Sequence, residues 1–247
     1  MKKIQAFTLL ETLIALVIGV ISVAAITYAY IYFNNTYQGI VDKAAMSQSG
    51  RFALKTISKD LRNTGYQSIH YSASSDAIIE KKDNFSMSGD RLRLWFNTTS
   101  QDRHEVQYYL KRDTLSNTIN LVKDVIENPG KGNERKLYCD RLDTQKNCEP
   151  LVIVNNASDF QVVLRDKQGK ELNPVGYSST TEKTNQSQVH TAEIYITVRS
   201  QNEILKTNRK FKITNHAGLT GRDFTKEDKY LRETFFISVY LRNVAKI

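Results

Sequence analysis

One carboxylate, two thiols and four imidazoles are the groups in this chain placed where they could do chemistry. Glu11 stands at the edge of an apolar run: from Thr12 to Val41 there is no Asp, Glu, Lys, Arg or His. A charge at membrane depth costs a few kcal/mol, so Glu11 is a functional residue in search of a counter-charge. Cys139 and Cys148 are not spaced as C-x-x-C, which argues against a redox motif, and a zinc site would need two more ligands. His70, His104, His190 and His216 sit apart with no metal-type pairing. Asp223, Glu227 and Asp228 lack the Asp-x-Asp-x-Asp-Gly order of a calcium loop and read as a charged surface loop. There is no G-x-S-x-G, phosphate loop or dinucleotide fingerprint, so the expectation is no enzyme, no cofactor and no metal.

The elements that must position these groups follow from how hydrophobicity is distributed. The chain has 247 residues, a mean hydropathy of −0.46 and a formal charge of +9. Its membrane-grade hydrophobicity is confined to Leu13–Phe33, about 21 residues, which as a helix span roughly 30 Å, the hydrocarbon thickness of a bilayer. Lys2 and Lys3 precede it, so the N-terminus is expected to stay in the cytoplasm while the bulk is exported. A cleavable secretory signal could be read at Ser22-Val23-Ala24-Ala25. The apolar character nevertheless continues through Tyr28, Tyr30, Ile31 and Phe33, and neither that reading nor a plain anchor explains Glu11.

Ala6-Phe7-Thr8-Leu9-Leu10-Glu11-Thr12-Leu13-Ile14-Ala15-Leu16 resembles the class III signal of type IV pilins and type II secretion pseudopilins. The resemblance implies cleavage by a prepilin peptidase between Ala6 and Phe7 and methylation of the new amine on Phe7. It also implies that Glu11 pairs with the N-terminal amine of a neighbouring subunit. The family prefers Gly before the cut, and Ala6 departs from that.

The helix is expected to run past the membrane, from Phe7 to Thr64. No proline precedes Pro129, and Asn63-Thr64-Gly65 reads as a stop with Gly65 in a left-handed cap. Val41, Ala44, Ala45, Gln48 and Phe52, followed by Leu54, Ile57 and Leu61, keep helical spacing and predict the packed face, with Arg51, Lys59 and Arg62 on the wet side. Gly19 and Gly39 are read as helix-packing contacts rather than hinges. The blocks Gly50-Arg51-Phe52-Ala53-Leu54, Lys59-Asp60-Leu61-Arg62 and Gly65-Tyr66 are similar to the PilW-type minor pilins, and later blocks extend the likeness over nearly the whole chain. That likeness suggests that the motif records how the helix packs on its own sheet.

Strands are expected at 77–80, 91–96, 104–111, 120–125, 151–154, 160–165, 190–199 and 234–241, with Leu151-Val152-Ile153-Val154 a buried one. Residues 178–187 and 214–229 read as exposed polar connections. The expected fold class is α+β: a long N-terminal helix packed on an antiparallel sheet domain. The domains would be a leader at 1–6, an apolar helix at 7–34, its amphipathic continuation at 35–66 and a β-rich periplasmic body at 67–247. In an exported body Cys139 and Cys148 are expected to pair, stabilising by about 2–3 kcal/mol. Cleavage removes Lys2 and Lys3 and leaves +7, spread as a solvated surface rather than a nucleic-acid groove.

The resemblance therefore implies a minor pilin, anchored once in the bacterial inner membrane. It would prime type IV pilus assembly with other minor pilins and the major pilin, and sit at the pilus tip. The alternatives are pseudopilin J of a type II secretion system and a tip component that contacts DNA.

Overall fold

The computed structural model describes residues 8–66, 79–84, 89–97, 103–113, 118–127, 135–136, 149–173, 175–176, 179–216 and 224–244. The chain divides into two compact units, Met1–Ala44 and Ala45–Ile247. Helix α1 (Leu9–Asn63) begins in the first and ends in the second, without a break at Gly19 or Gly39. Gly65 ends it as expected, with φ of 75°. Its N–H donates to Trp95 O at 2.9 Å, and Asn97 N–H donates to Tyr66 O at 3.0 Å, so the cap is sewn directly to the sheet.

The remaining elements are β1 (Ile79–Asn84), β2 (Gly89–Asn97), β3 (Arg103–Arg112), β4 (Ile119–Glu127), β5 (Arg135–Lys136), β6 (Leu151–Val154), β7 (Ala157–Arg165), α2 (Thr180–Gln188), β8 (Thr191–Arg199), β9 (Arg209–Ile213), β10 (Phe224–Asp228) and β11 (Arg232–Tyr240). Among the described residues nine strands form one sheet in the order β11-β8-β7-β2-β3-β4-β5, with β1 on β2 and β6 on β4. β9 and β10 form a separate ribbon.

The sheet is antiparallel except at one seam. β2 and β7 run parallel and meet only at Gly89↔Phe160. There the buried carboxylate of Asp90 accepts from Val162 N–H at 2.7 Å and takes the place of a missing ladder bond.

The core lies on one face of the sheet. Ile194, Ile196 and Val198 of β8, Val162 and Leu164 of β7, Leu92 and Leu94 of β2, and Val106 and Leu110 of β3 are all essentially buried. Period-2 alternation produces this, as the sequence of β8 shows most plainly. Two expectations need correction. Only Ile153 and Val154 of β6 are buried; Leu151 and Val152 are exposed, because β6 is a short outer strand on β4. The two polar connections also hold structure. Residues 180–188 are helical, capped by Ser179 Oγ accepting from Glu182 N–H at 3.2 Å, and 224–228 pair with β9.

Candidate functional site

Glu11 lies in the first turn of α1 and closes a reciprocal cap with Thr8. Its Oε2 accepts from Thr8 N–H at 2.9 Å and Thr8 Oγ1–H at 3.0 Å, while Thr8 Oγ1 accepts from Glu11 N–H at 3.3 Å. This is a Thr-x-x-Glu capping box, and it places negative charge at the positive end of the helix dipole. The Thr8-Glu11 spacing signals the box in the sequence, where Glu11 is otherwise read only as a partner-seeking charge. Oε1 accepts no hydrogen bond among the described residues and is open to a cation. Ala6 and Phe7, the expected cleavage and methylation positions, lie outside the described residues, as do Cys139 and Cys148.

Behind Glu11 the helix is apolar on every side. Leu13, Leu16, Val20, Val23, Ile26, Tyr30 and Phe33 are among its exposed large side chains. It is long and apolar enough to cross a membrane. Its hydroxyls fold back on the backbone: Ser22 donates to Ile18 O at 2.8 Å, Thr27 to Val23 O at 2.8 Å and Thr36 to Tyr32 O at 2.9 Å. Donors satisfied within the helix are not left stranded in an apolar medium. Among the described residues a Cβ on Gly19 would meet nothing within 4 Å.

From Ala45 on, one stripe of α1 is buried: Met46, Gly50, Ala53, Leu54, Ile57, Ser58, Asp60 and Leu61. The expected face is right from Leu54 onward and wrong before it, since Val41, Ala44, Ala45, Gln48 and Phe52 are exposed. Gly50 explains the phase. A Cβ there would fall 2.7 Å from Phe235 Cγ, inside the ring's van der Waals envelope, so helix and β11 approach through the missing side chain. Arg51, Lys59 and Arg62 are exposed, as expected.

Asp60 is the buried charge that the sequence reading passed over. It is buried, pairs with Lys123 Nζ at 2.6 Å and accepts from the Tyr108 hydroxyl. The signal was parity. Lys123 occupies the inward position of β4 between Leu121 and Val125, where an unpaired ammonium would be costly. A carboxylate on the facing helix satisfies it.

The basic residues of the sheet are engaged locally. Arg91 lies 4.7 Å from the Tyr109 ring and Arg103 6.0 Å from Trp95. Arg93 is 3.8 Å from Glu105, and Arg165 is 3.0 Å from Glu193. Trp95 and Tyr108 are buried sheet residues. His216 stacks on Tyr195 at 3.8 Å and His190 meets Tyr240 edge-on at 4.4 Å. Burial, then the Glu193 charge, raises the Tyr195 phenol above its usual pKa. Among the described residues no His, Cys, Asp and Glu gather as metal ligands do.

The family model of the prokaryotic N-terminal methylation motif matches residues 1–27. No curated protein matches the chain. Among solved structures a type IV-like pilin from Thermus thermophilus is similar, with a TM-score of 0.53 at 13% identity, covering 81% of this chain and 97% of that one. The likeness shows a pilin-like α+β fold, a long N-terminal helix followed by an antiparallel-rich sheet. The motif and the apolar helix together fit a membrane-anchored N-terminus that carries the C-terminal sheet domain.

Proposed function

We propose that the chain is a minor pilin of PilW type that acts in type IV pilus assembly by packing, without catalysis. In this reading it is made as an inner-membrane prepilin, cut between Ala6 and Phe7 by prepilin peptidase and methylated on Phe7. Its sheet domain stands in the periplasm, stapled by Cys139–Cys148. The observation that carries the reading is the open Oε1 of Glu11 at the head of a helix whose apolar surface is exposed all round. A helix hydrophobic on every side is made to be surrounded, first by lipid and then by other subunits. A carboxylate entering that low-dielectric setting needs a cation, and the methylated amine of a neighbouring subunit supplies one. Lateral contacts to other minor pilins and the major pilin come from the sheet domain. Its roughly 180 residues beyond the helix suit a low-copy place at the tip, where crowding is least.

Glu11→Gln and Glu11→Ala separate pairing from capping. Gln at this position still closes the capping box but carries no charge. The expected result is that both variants insert in the membrane, and both lose co-purification of partner pilins and surface pili. Wild-type pili with Glu11→Gln would overturn the pairing role and leave Glu11 as a cap.

A further inference from the structure

Strand register sets two arginines face to face on the outer side of the sheet. Arg232 of β11 stands opposite Arg199 of β8. Like charges directly opposed on neighbouring strands are destabilising, so something must answer them. Asp228 bonds only one of them directly. Its Oδ1 accepts from Arg232 Nη1 at 2.5 Å and its Oδ2 from Nη2 at 2.6 Å, which commits both carboxylate oxygens to one guanidinium. The hydrogen bond from Arg232 holds the Asp228 carboxyl below its usual pKa, so this partner stays ionised at neutral pH. Arg232 Nε donates to Ser158 Oγ at 3.4 Å, and its side chain is only 4% exposed.

Arg199 makes no hydrogen bond to a carboxylate among the described residues, although its charge lies near enough to Asp228 to help hold that carboxyl low. Its Nη2 reaches the neutral amide oxygen of Asn156 at 3.4 Å, and its guanidinium lies 4.3 Å from the Tyr230 ring. Lys226 of β10 sits 5.5 Å from the Phe224 ring, again a neutral contact. Arg199, Lys226, Arg232, Ser158 and Asp228 line one surface pocket of about 240 Å³, several times the ~30 Å³ of a water in the liquid. Among the described residues, three cations thus share a recess with one carboxylate, both of whose oxygens are bonded to Arg232. Ile119, Ala157 and Phe224 supply apolar wall, which strengthens any charge interaction inside.

We propose that this pocket binds a phosphate group, with Arg199 and Lys226 as its charged donors and the Ser158 hydroxyl as its neutral one. These donors come from β8, β10 and β7, so they reach an anion from three strands. That suits a tetrahedral oxyanion better than a planar carboxylate, which a single guanidinium fork saturates. Arg232 and Asp228 are bonded to each other, so Arg199 and Lys226 are the cations left to face an anion.

The source of the phosphate is either a free anion or the headgroup of a phosphomonoester lipid, and the test separates them. Full-length protein in a neutral detergent and chloride buffer is titrated calorimetrically with inorganic phosphate and, separately, with short-chain phosphatidic acid. Arg199→Gln and Lys226→Gln are compared with wild type and with Lys167→Gln, an exposed residue in a remote turn. Wild type and Lys167→Gln are expected to bind one equivalent saturably, and Arg199→Gln and Lys226→Gln to bind about tenfold or more weakly, as loss of a charge-assisted hydrogen bond requires. Tighter binding of phosphatidic acid than of inorganic phosphate assigns the headgroup; equal binding assigns the free anion. Absence of saturable binding of both probes overturns the proposal, as does a loss in Lys167→Gln equal to that in Arg199→Gln. Should Arg199→Gln fail to melt cooperatively, Lys226→Gln, on an exposed β10 position, carries the test alone.

Discussion

The two stretches of α1 solve opposite problems with one backbone. Up to Ala44 the helix turns apolar side chains outward on all sides and buries none. From Ala45 it buries a single stripe against its own sheet and keeps Arg51, Lys59 and Arg62 in water. Both stretches have helical propensity, so propensity does not distinguish them. What differs is where the partner comes from. The second stretch finds its partner inside the chain, through a missing side chain at Gly50 and a charge pair at Asp60. The first has a capped N-terminus and, among the described residues, buries no side chain within the chain.

The charge pair gives the sharpest way to break the second stretch without touching the first. Asp60→Ala leaves Lys123 buried without its carboxylate and removes the acceptor of the Tyr108 hydroxyl. The expected cost is about 3–5 kcal/mol in chemical denaturation. Lys123→Ala strands the carboxylate and should cost a similar amount. The double variant should cost clearly less than the sum, because the second substitution removes a charge that no longer has a partner. Additive losses would mean that Asp60 and Lys123 do not act as a unit. Membrane insertion should be unchanged in all three.

A matched pair of glycine substitutions sharpens the same contrast. Gly50→Val drives a side chain into the Phe235 ring and should destabilise the sheet domain by about 1–3 kcal/mol. Gly19→Val enters open space within the chain and should leave denaturation of the sheet domain unchanged. A similar destabilisation from both would mean that the loss reflects helix propensity rather than the contact with β11.

Physical weight explains which features were legible in the sequence. The membrane-grade stretch and the strand β8 declare themselves, because many strongly apolar residues repeat at one period. Gly65 was legible because a helix stop needs a residue tolerant of positive φ. The buried face of α1 before Leu54 was not legible, because Gly50 and Ala53 carry almost no hydrophobic signal, while exposed Phe52 carries a great deal. Helix α2 is built almost wholly of Thr, Gln, Asn, Glu, Lys and Ser. Its only sequence mark was the Ser179-x-x-Glu182 cap, the same grammar as Thr8-x-x-Glu11. The parallel seam at Gly89↔Phe160 joins residues far apart in sequence through a single pair, and no local pattern encodes that. At the candidate site, Glu11 stood out by its isolation, whereas Asp60 was hidden among charged neighbours. The Arg199–Arg232 pair depends on β-register, which no short motif records.

The smallest effect tests the exposed side of the helix. Phe52 is 59% exposed although its neighbours Ala53 and Leu54 are buried, so it contributes little to the fold of its own chain. Phe52→Ser should shift the unfolding free energy by no more than about 0.5 kcal/mol, the range of surface positions without special contacts. Leu54→Ser, two residues on and across the helix, 8% exposed, should cost several times as much. If Phe52→Ser proved as damaging as Leu54→Ser, the phase set by Gly50 would be wrong. The packed face would then revert to the one that raw hydrophobicity suggests. If the two separate as expected, an aromatic ring held in water on the second stretch makes the contrast one of degree. Even where α1 has found its partner within the chain, part of its apolar surface is left exposed, as on the first stretch.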